Sequence, residues 1–176
     1  MLKFIRPEPK YIQSHREAFG VICKEKDYLS TAEAFPLEST VELMHMVIEK
    51  HIPQVLVIDT ETDRCVGWCD ALPREDAAIG YVGTGLLKAY RDAGIGTRIL
   101  REVIALSRQY GYRKLELDVR ASNQRAIRVY EKAGFKACNT IEDGYTSADG
   151  RTREDVIQME LTLNRLHGMT DEHSHI

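Results

Sequence analysis

The chain has 176 residues, 43% hydrophobic and 29% charged, with a formal net charge of −3. One soluble globular domain fits these values, and the acidic balance argues against a nucleic-acid binder that works by neutralising phosphates. No run approaches the roughly 18 apolar residues of a membrane span. Met1–Lys10, with Pro7 and Pro9 among its charges, lacks the apolar core of a signal peptide, so the expected location is the cytoplasm.

In chain order, LKFI (2–5) reads as a first strand. Tyr11 to Lys24 has helical spacing, with Ile12, Phe19, Val21 and Ile22 on its apolar face. Residues 24–40 look like a loop with a helical turn in it, and Ser39 or Thr40 could cap a helix over Val41–Lys50. QVLVID (54–59) and CVGWCDAL (65–72) read as paired strands around the turn TETDR. AAIGYVGTGLL (77–87) is a third, and its three glycines imply a bulge or a close approach by another backbone or a ligand. The helix after Gly96 carries Leu100, Val103, Ile104 and Tyr110 on one stripe and stops at Gly111.

KLELDV (114–119) alternates, with Leu115, Leu117 and Val119 on one face and Glu116 and Asp118 on the other. A short helix follows from Asn123, with Ala126, Ile127, Tyr130 and Ala133 grouped on it, and ends at Gly134. FKACNTIE (135–142) and DVIQMELTL (155–163) are the last strands. The domain is expected to cover 1–165, with 166–176 a polar, frayed tail; His167, His173 and His175 could bind metal loosely, but a disordered tail is the preferred reading. Cys65 and Cys69 could suggest metal, but four residues along a strand separate side chains by roughly 13 Å. All four cysteines are therefore expected to be reduced thiols, and no metal is expected.

The stretch AYRDAGIG (89–96) is the informative one. Gly94 and Gly96 leave backbone N–H groups free to face a guest, and the helix behind them adds unsatisfied N–H groups and a partial positive charge. Such a turn suits a phosphate, and Arg91 can add a charge-assisted contact. No G-x-x-x-x-G-K-[ST] string is present, and a dinucleotide fingerprint would need a third glycine in a first βαβ unit. R-x-x-G-x-G, opening a long helix after a glycine-rich strand, matches Arg91–Gly96.

This turn resembles the coenzyme A pyrophosphate loop of the GNAT superfamily of N-acetyltransferases. LDVRASNQRAIRVYEKAGF (117–135) is similar to a second GNAT segment, most of all in the ribosomal-protein alanine N-acetyltransferase branch around V-R-A-S-N. The resemblance implies an α/β (α+β) GNAT-like fold, with a mixed, mostly antiparallel sheet of about seven strands and helices on both faces. A V-shaped opening between the glycine-rich strand and LELDV would admit the pantetheine arm. The resemblance also implies that backbone groups of Leu86 and Leu87 contact the acetyl and pantetheine groups, a bulge freeing one N–H. Arg91, Asp92, Ala93, Gly94, Ile95, Gly96 and Thr97 would hold the pyrophosphate, with the Asp92 carboxylate turned to solvent. Asn123 caps its helix or bonds the pantetheine arm, and both roles stay open.

Acetyl transfer to an amine requires a proton acceptor, a donor for the developing oxyanion and an acid for the leaving sulfur. Tyr130 matches the family's acid, although a tyrosine on that stripe can equally be core. Asp118 matches a catalytic Glu in the alanine N-acetyltransferase branch. Glu116, Asp70, Glu33 or a water chain remain alternatives. Trp68 either lines the acceptor pocket or is core, and Glu25, Asp27, Glu33 and Glu38 either attract a cation or are solvated. The expected activity is transfer from acetyl-CoA, the cosubstrate, to a primary amine by direct attack, a small molecule first. A protein N-terminus, a non-catalytic acyl-CoA-binding module and a nucleotide binder are the rivals. No nucleic acid or membrane partner is expected, and a homodimer is allowed by analogy.

Overall fold

The computed structural model describes residues 1–25, 33–147 and 150–163. The expected tail and its histidines, and Asp27, lie outside the described residues. Seven strands form one sheet in the order β1-β2-β3-β4-β5-β7-β6. They are β1 (Leu2–Ile5), β2 (Gln54–Asp59), β3 (Arg64–Pro73), β4 (Ile79–Leu86), β5 (Lys114–Arg120), β6 (Lys136–Thr146) and β7 (Arg153–Thr162). Only β4 and β5 pair in parallel. The helices are α1 (Ile12–Lys24), α2 (Leu37–Glu49), α3 (Ile95–Tyr110) and α4 (Gln124–Lys132). No described helix is long and apolar enough to cross a membrane.

Two apolar clusters hold the helices to opposite faces of the sheet. Ile99, Leu100, Val103 and Ile104 of α3 and Ile127 and Tyr130 of α4 pack with Leu115, Leu117 and Val119 of β5. Ile12 and Ile22 of α1 and Met44 of α2 pack on Leu56, Ile58, Cys65 and Trp68. The strict alternation of β5, core on one face and Glu116 and Asp118 on the other, follows from the two-residue period of a strand.

Several boundaries and contacts differ from expectation. α2 starts four residues early, with Pro36 at its N-cap and the Thr40 hydroxyl bonded back to the Pro36 carbonyl inside the first turn. Val21 and Tyr110 are exposed, so neither belongs to its stripe, while Ile99 does. β6 runs four residues further than FKACNTIE, its register slipping between Ile141 and Tyr145. No shift interrupts the β3–β4 register, which runs from Gly67–Leu86 to Pro73–Gly80. The irregularity lies instead between β2 and β3, where Val57 faces Gly67 and Ile58 faces Cys65. That slip at Val66 turns Cys65 and Cys69 to opposite faces of the sheet, Cys65 packing under α1 and Cys69 under α3. Burial pushes both thiols up, Cys65 to about 12, so neither is a ready nucleophile.

Candidate active site

The glycines of β4 are explained by close approach. A Cβ on Gly85 would lie 2.3 Å from the six-membered ring of Trp68, and one on Gly80 would lie 2.6 Å from Tyr112. Trp68 is therefore core, its ring laid across β4 and met by Phe19 and, edge-on, by His15.

β4 and β5 stay together for three rungs only, Ile79–Lys114, Gly80–Leu115 and Tyr81–Glu116, and then part. Which backbone groups face that fork follows from the neighbouring ladders. Leu87 N–H donates to Val66 O and Arg74 N–H to Ile79 O, which fixes the phase of the β3–β4 ladder. In an antiparallel ladder alternate residues bond to the same neighbour, so the N–H groups of Val82, Thr84 and Leu86 point the other way, into the fork. On the opposite bank, Leu163 N–H to Arg113 O and Ala121 N–H to Asp155 O set the phase of β5–β7, and Asp118 N–H faces the fork. Leu86 thus presents a backbone donor where no strand receives it. Leu87 does not, because its N–H is spent on Val66. The donor arises from the parting of two strands, without the bulge expected in β4.

A cleft of about 670 Å³ fills the fork. Leu86, Arg91, Asp92, Gly94, Gly96, Thr97, Asp118, Asn123 and Tyr130 all line it, whereas Leu87, Ala93 and Ile95 do not. Ile95 is buried against the core and anchors the first turn of α3. Gly94 sits at the N-cap with φ +75°, a left-handed conformation that favours glycine, and carries no side chain to cap the helix. The N–H groups of Ile95, Gly96 and Thr97 are left without helical partners. A Cβ on Gly96 would meet no atom within 4 Å, so the protein itself does not require glycine there. The residues present fit a pyrophosphate: a helix start, a bare backbone and space in front of it.

Arg91 also makes contacts that the sequence does not suggest. Its Nε donates to Leu86 O at 2.8 Å and its Nη2 to Glu25 Oε2 at 2.7 Å, so it ties the end of α1 to the end of β4 beside the turn. The Asp92 carboxylate is exposed and pairs with Arg125 of α4 at 3.1 Å. Arg128 and Lys132 of α4 also line the cleft and give that side a cationic character, while Arg120 of β5, also in the lining, is paired with Glu154.

Asn123 caps α4, its Oδ1 accepting from Ala126 N–H, while the residue also lines the cleft. Tyr130 is buried beside Phe135, reaching the fork from the α3–α4 side. Burial, helped by Cys69 and Tyr81, raises its phenol well above the ordinary value, so it keeps its proton at neutral pH.

On the α1–α2 side stand Asp118 and Tyr81. Asp118 Oδ1 accepts from Gln158 Nε2 at 3.1 Å. The Tyr81 hydroxyl faces Asp118; burial and that negative charge push the phenol up to about 12. Arg74 covers the Tyr81 ring at 4.3 Å. Among the other candidates, Glu116 is tied to Lys114 and Arg74, and Glu33 and Glu38 are exposed. Asp70 lies behind Gly83 with Gln54 as its partner, and burial raises its carboxyl to about 7. Tyr81 and Gln158 went unnoticed in the sequence; only the neighbouring of β4 with β5 and of β5 with β7 brings them to Asp118.

The comparisons agree with this geometry. Residues 13–135 match the acetyltransferase (GNAT) family. The ribosomal protein bS18-alanine N-acetyltransferase of Escherichia coli K12 is 37% identical over 75 residues, 43% of this chain and 49% of that protein. The chain therefore spans about half the length of that relative. A putative enzyme of the same description from Bacillus subtilis is 27% identical over 121 residues, 68% of this chain and 76% of its own. Among solved structures, a GNAT-family acetyltransferase from Streptococcus pneumoniae superposes with a TM-score of 0.83 at 21% identity, covering 93% of this chain and 100% of its own. A putative acetyltransferase from Salmonella typhimurium, solved with acetyl-CoA, gives 0.83 at 14% identity, covering 98% and 99%. The glycine turn, the fork and the matched residues have one common reading: the chain belongs to the GNAT family of acetyltransferases.

Proposed function

We propose that the protein transfers the acetyl group of acetyl-CoA to a primary amine by direct attack. The observation that supports this is the fork, whose cleft is lined by Leu86, by a carboxylate on one side of the sheet and by a phenol on the other. The pyrophosphate would rest on the first turn of α3 and the pantetheine arm would run along the edge of β4 past Asn123. Asp118 takes a proton from the incoming ammonium. The amine nitrogen then bonds to the thioester carbon, and the Leu86 N–H stabilises the charge on its oxygen. As the carbon–sulfur bond breaks, the sulfur receives the Tyr130 proton; the second proton of the nitrogen passes through water to the Tyr130 phenolate, Asp118 gives its proton up to solvent, and the products are the acetamide and the free thiol.

Ile22 of α1 and Tyr81 line the cleft together with Asp118, and the acceptor of the first reading is a small amine such as a polyamine or an amino-acid derivative. The similarity to the bS18-alanine N-acetyltransferases supports a second reading, in which the acceptor is a protein N-terminus. A panel of small amines and of peptides with free N-terminal alanine, read by release of free thiol from acetyl-CoA, tests both. Turnover of small amines supports the first reading and of peptides alone the second. Acetyl-CoA binding without turnover of either class refutes direct transfer to these acceptors.

A further inference from the structure

Asp118 stands opposite Gln158 in the β5–β7 register. Two side chains approach its carboxylate from different strands. From β7, Gln158 Nε2 donates to Oδ1 at 3.1 Å. The other end of that amide is also engaged: Gln158 Oε1 accepts from Asn139 Nδ2 of β6 at 2.8 Å. An amide whose oxygen already receives a donor has its NH₂ committed to the opposite side, so Asn139 fixes which end of Gln158 meets Asp118. From β4, the Tyr81 hydroxyl faces the same residue across the last rung before the fork. An exposed aspartate on a strand otherwise has free rotation about χ1 and χ2, and a proton acceptor that wanders loses orientation.

We propose that Gln158 is a positioning residue for Asp118, its amide oriented by Asn139 and holding the carboxylate at the fork toward the incoming amine, with Tyr81 bracing it from the other bank. The inference rests on the reading of Asp118 as the proton acceptor. Gln158 touches no reacting atom. Its contribution passes entirely through Asp118, which makes the two residues non-additive.

The test is a double-mutant cycle on kcat. The four proteins are wild type, Gln158→Met, Asp118→Asn and the double variant, each with acetyl-CoA affinity measured by calorimetry to show that it is folded. Methionine keeps the length of the side chain and removes its polar end. Gln158→Met is expected to lower kcat about tenfold with the acetyl-CoA Kd unchanged, as for a lost charge-assisted hydrogen bond. In the Asp118→Asn background the same change is expected to cost less than twofold. Tyr81→Phe, which retains the ring under Arg74, should follow the same pattern. An equal loss in both backgrounds, or no loss in the wild-type background, overturns the positioning role while leaving Asp118 as base. If Asp118→Asn itself retains full kcat, the base assignment fails, and the proposal fails with it.

Discussion

Gly96→Ala should raise stability and destroy cosubstrate binding in the same molecule. The residue lies in the first turn of α3, and the added Cβ would find no atom within 4 Å. Without its ligand the protein has only the glycine entropy to lose, and removing it gains about 0.4–1 kcal/mol. For a chain of this length that is a rise of roughly 1–4 °C in Tm. With acetyl-CoA the sign reverses, because the methyl occupies the space in front of the Ile95, Gly96 and Thr97 N–H groups. Holding the phosphate off by even one ångström weakens those contacts and costs tenfold or more in Kd, about 1.4 kcal/mol per decade. Scanning fluorimetry with and without acetyl-CoA reads both effects: the variant melts higher alone and shows little ligand-induced shift. Gly94→Ala is the control. Its φ of +75° makes an alanine strained there, so Tm should fall, by an amount corresponding to about 1–2 kcal/mol. A Gly96→Ala protein that binds acetyl-CoA as wild type does would refute the phosphate cradle.

Tyr130→Phe removes the proposed acid from a buried site without altering its packing on Phe135. kcat should fall about 10²–10⁴-fold with acetyl-CoA affinity intact, measured by steady-state kinetics beside calorimetry. Asp70 keeps a proton in the native state up to about 7, while the unfolded chain loses it near 3.8. Native protein therefore binds more protons between those values, and stability falls as pH rises from about 4 to 7. Asp70→Asn should remove that slope: its advantage over wild type in urea melts is expected to be absent at pH 4 and full at pH 8, and a difference independent of pH contradicts the assignment. Gly85→Ala drives a methyl into the Trp68 ring and should cost about 1–3 kcal/mol. Trp68→Phe, which clears the contacted atoms, should recover part of that loss in a double-variant melt.

The features readable from the chain were those that local patterns dictate. Alternation in KLELDV orients β5 because a strand has a period of two, and Gly111 and Gly134 end helices because both take positive φ. Gly94 and Gly96 mark the turn that opens α3 because the empty space around them belongs to the turn itself. The start of α2 also carries a local signal, Pro36 just before the helix and Glu38 in its acidic first turn. What eluded the sequence is non-local. The slip at Val66 reverses the side of Cys65 relative to Cys69, and nothing in CVGWC announces it. Arg91 meets Glu25, 66 residues away, and so ties the end of α1 beside the turn. Tyr81, Gln158 and Asn139 gather around Asp118 only once four strands have found their order.

Titration of the protein with acetyl-CoA by calorimetry, with ATP and NAD run in parallel, tests the central claim most directly. The fork and the glycine turn predict micromolar binding of acetyl-CoA and none of the two nucleotides at the same concentration. Failure to bind acetyl-CoA, or equal binding of ATP, would contradict the acetyltransferase reading at its foundation.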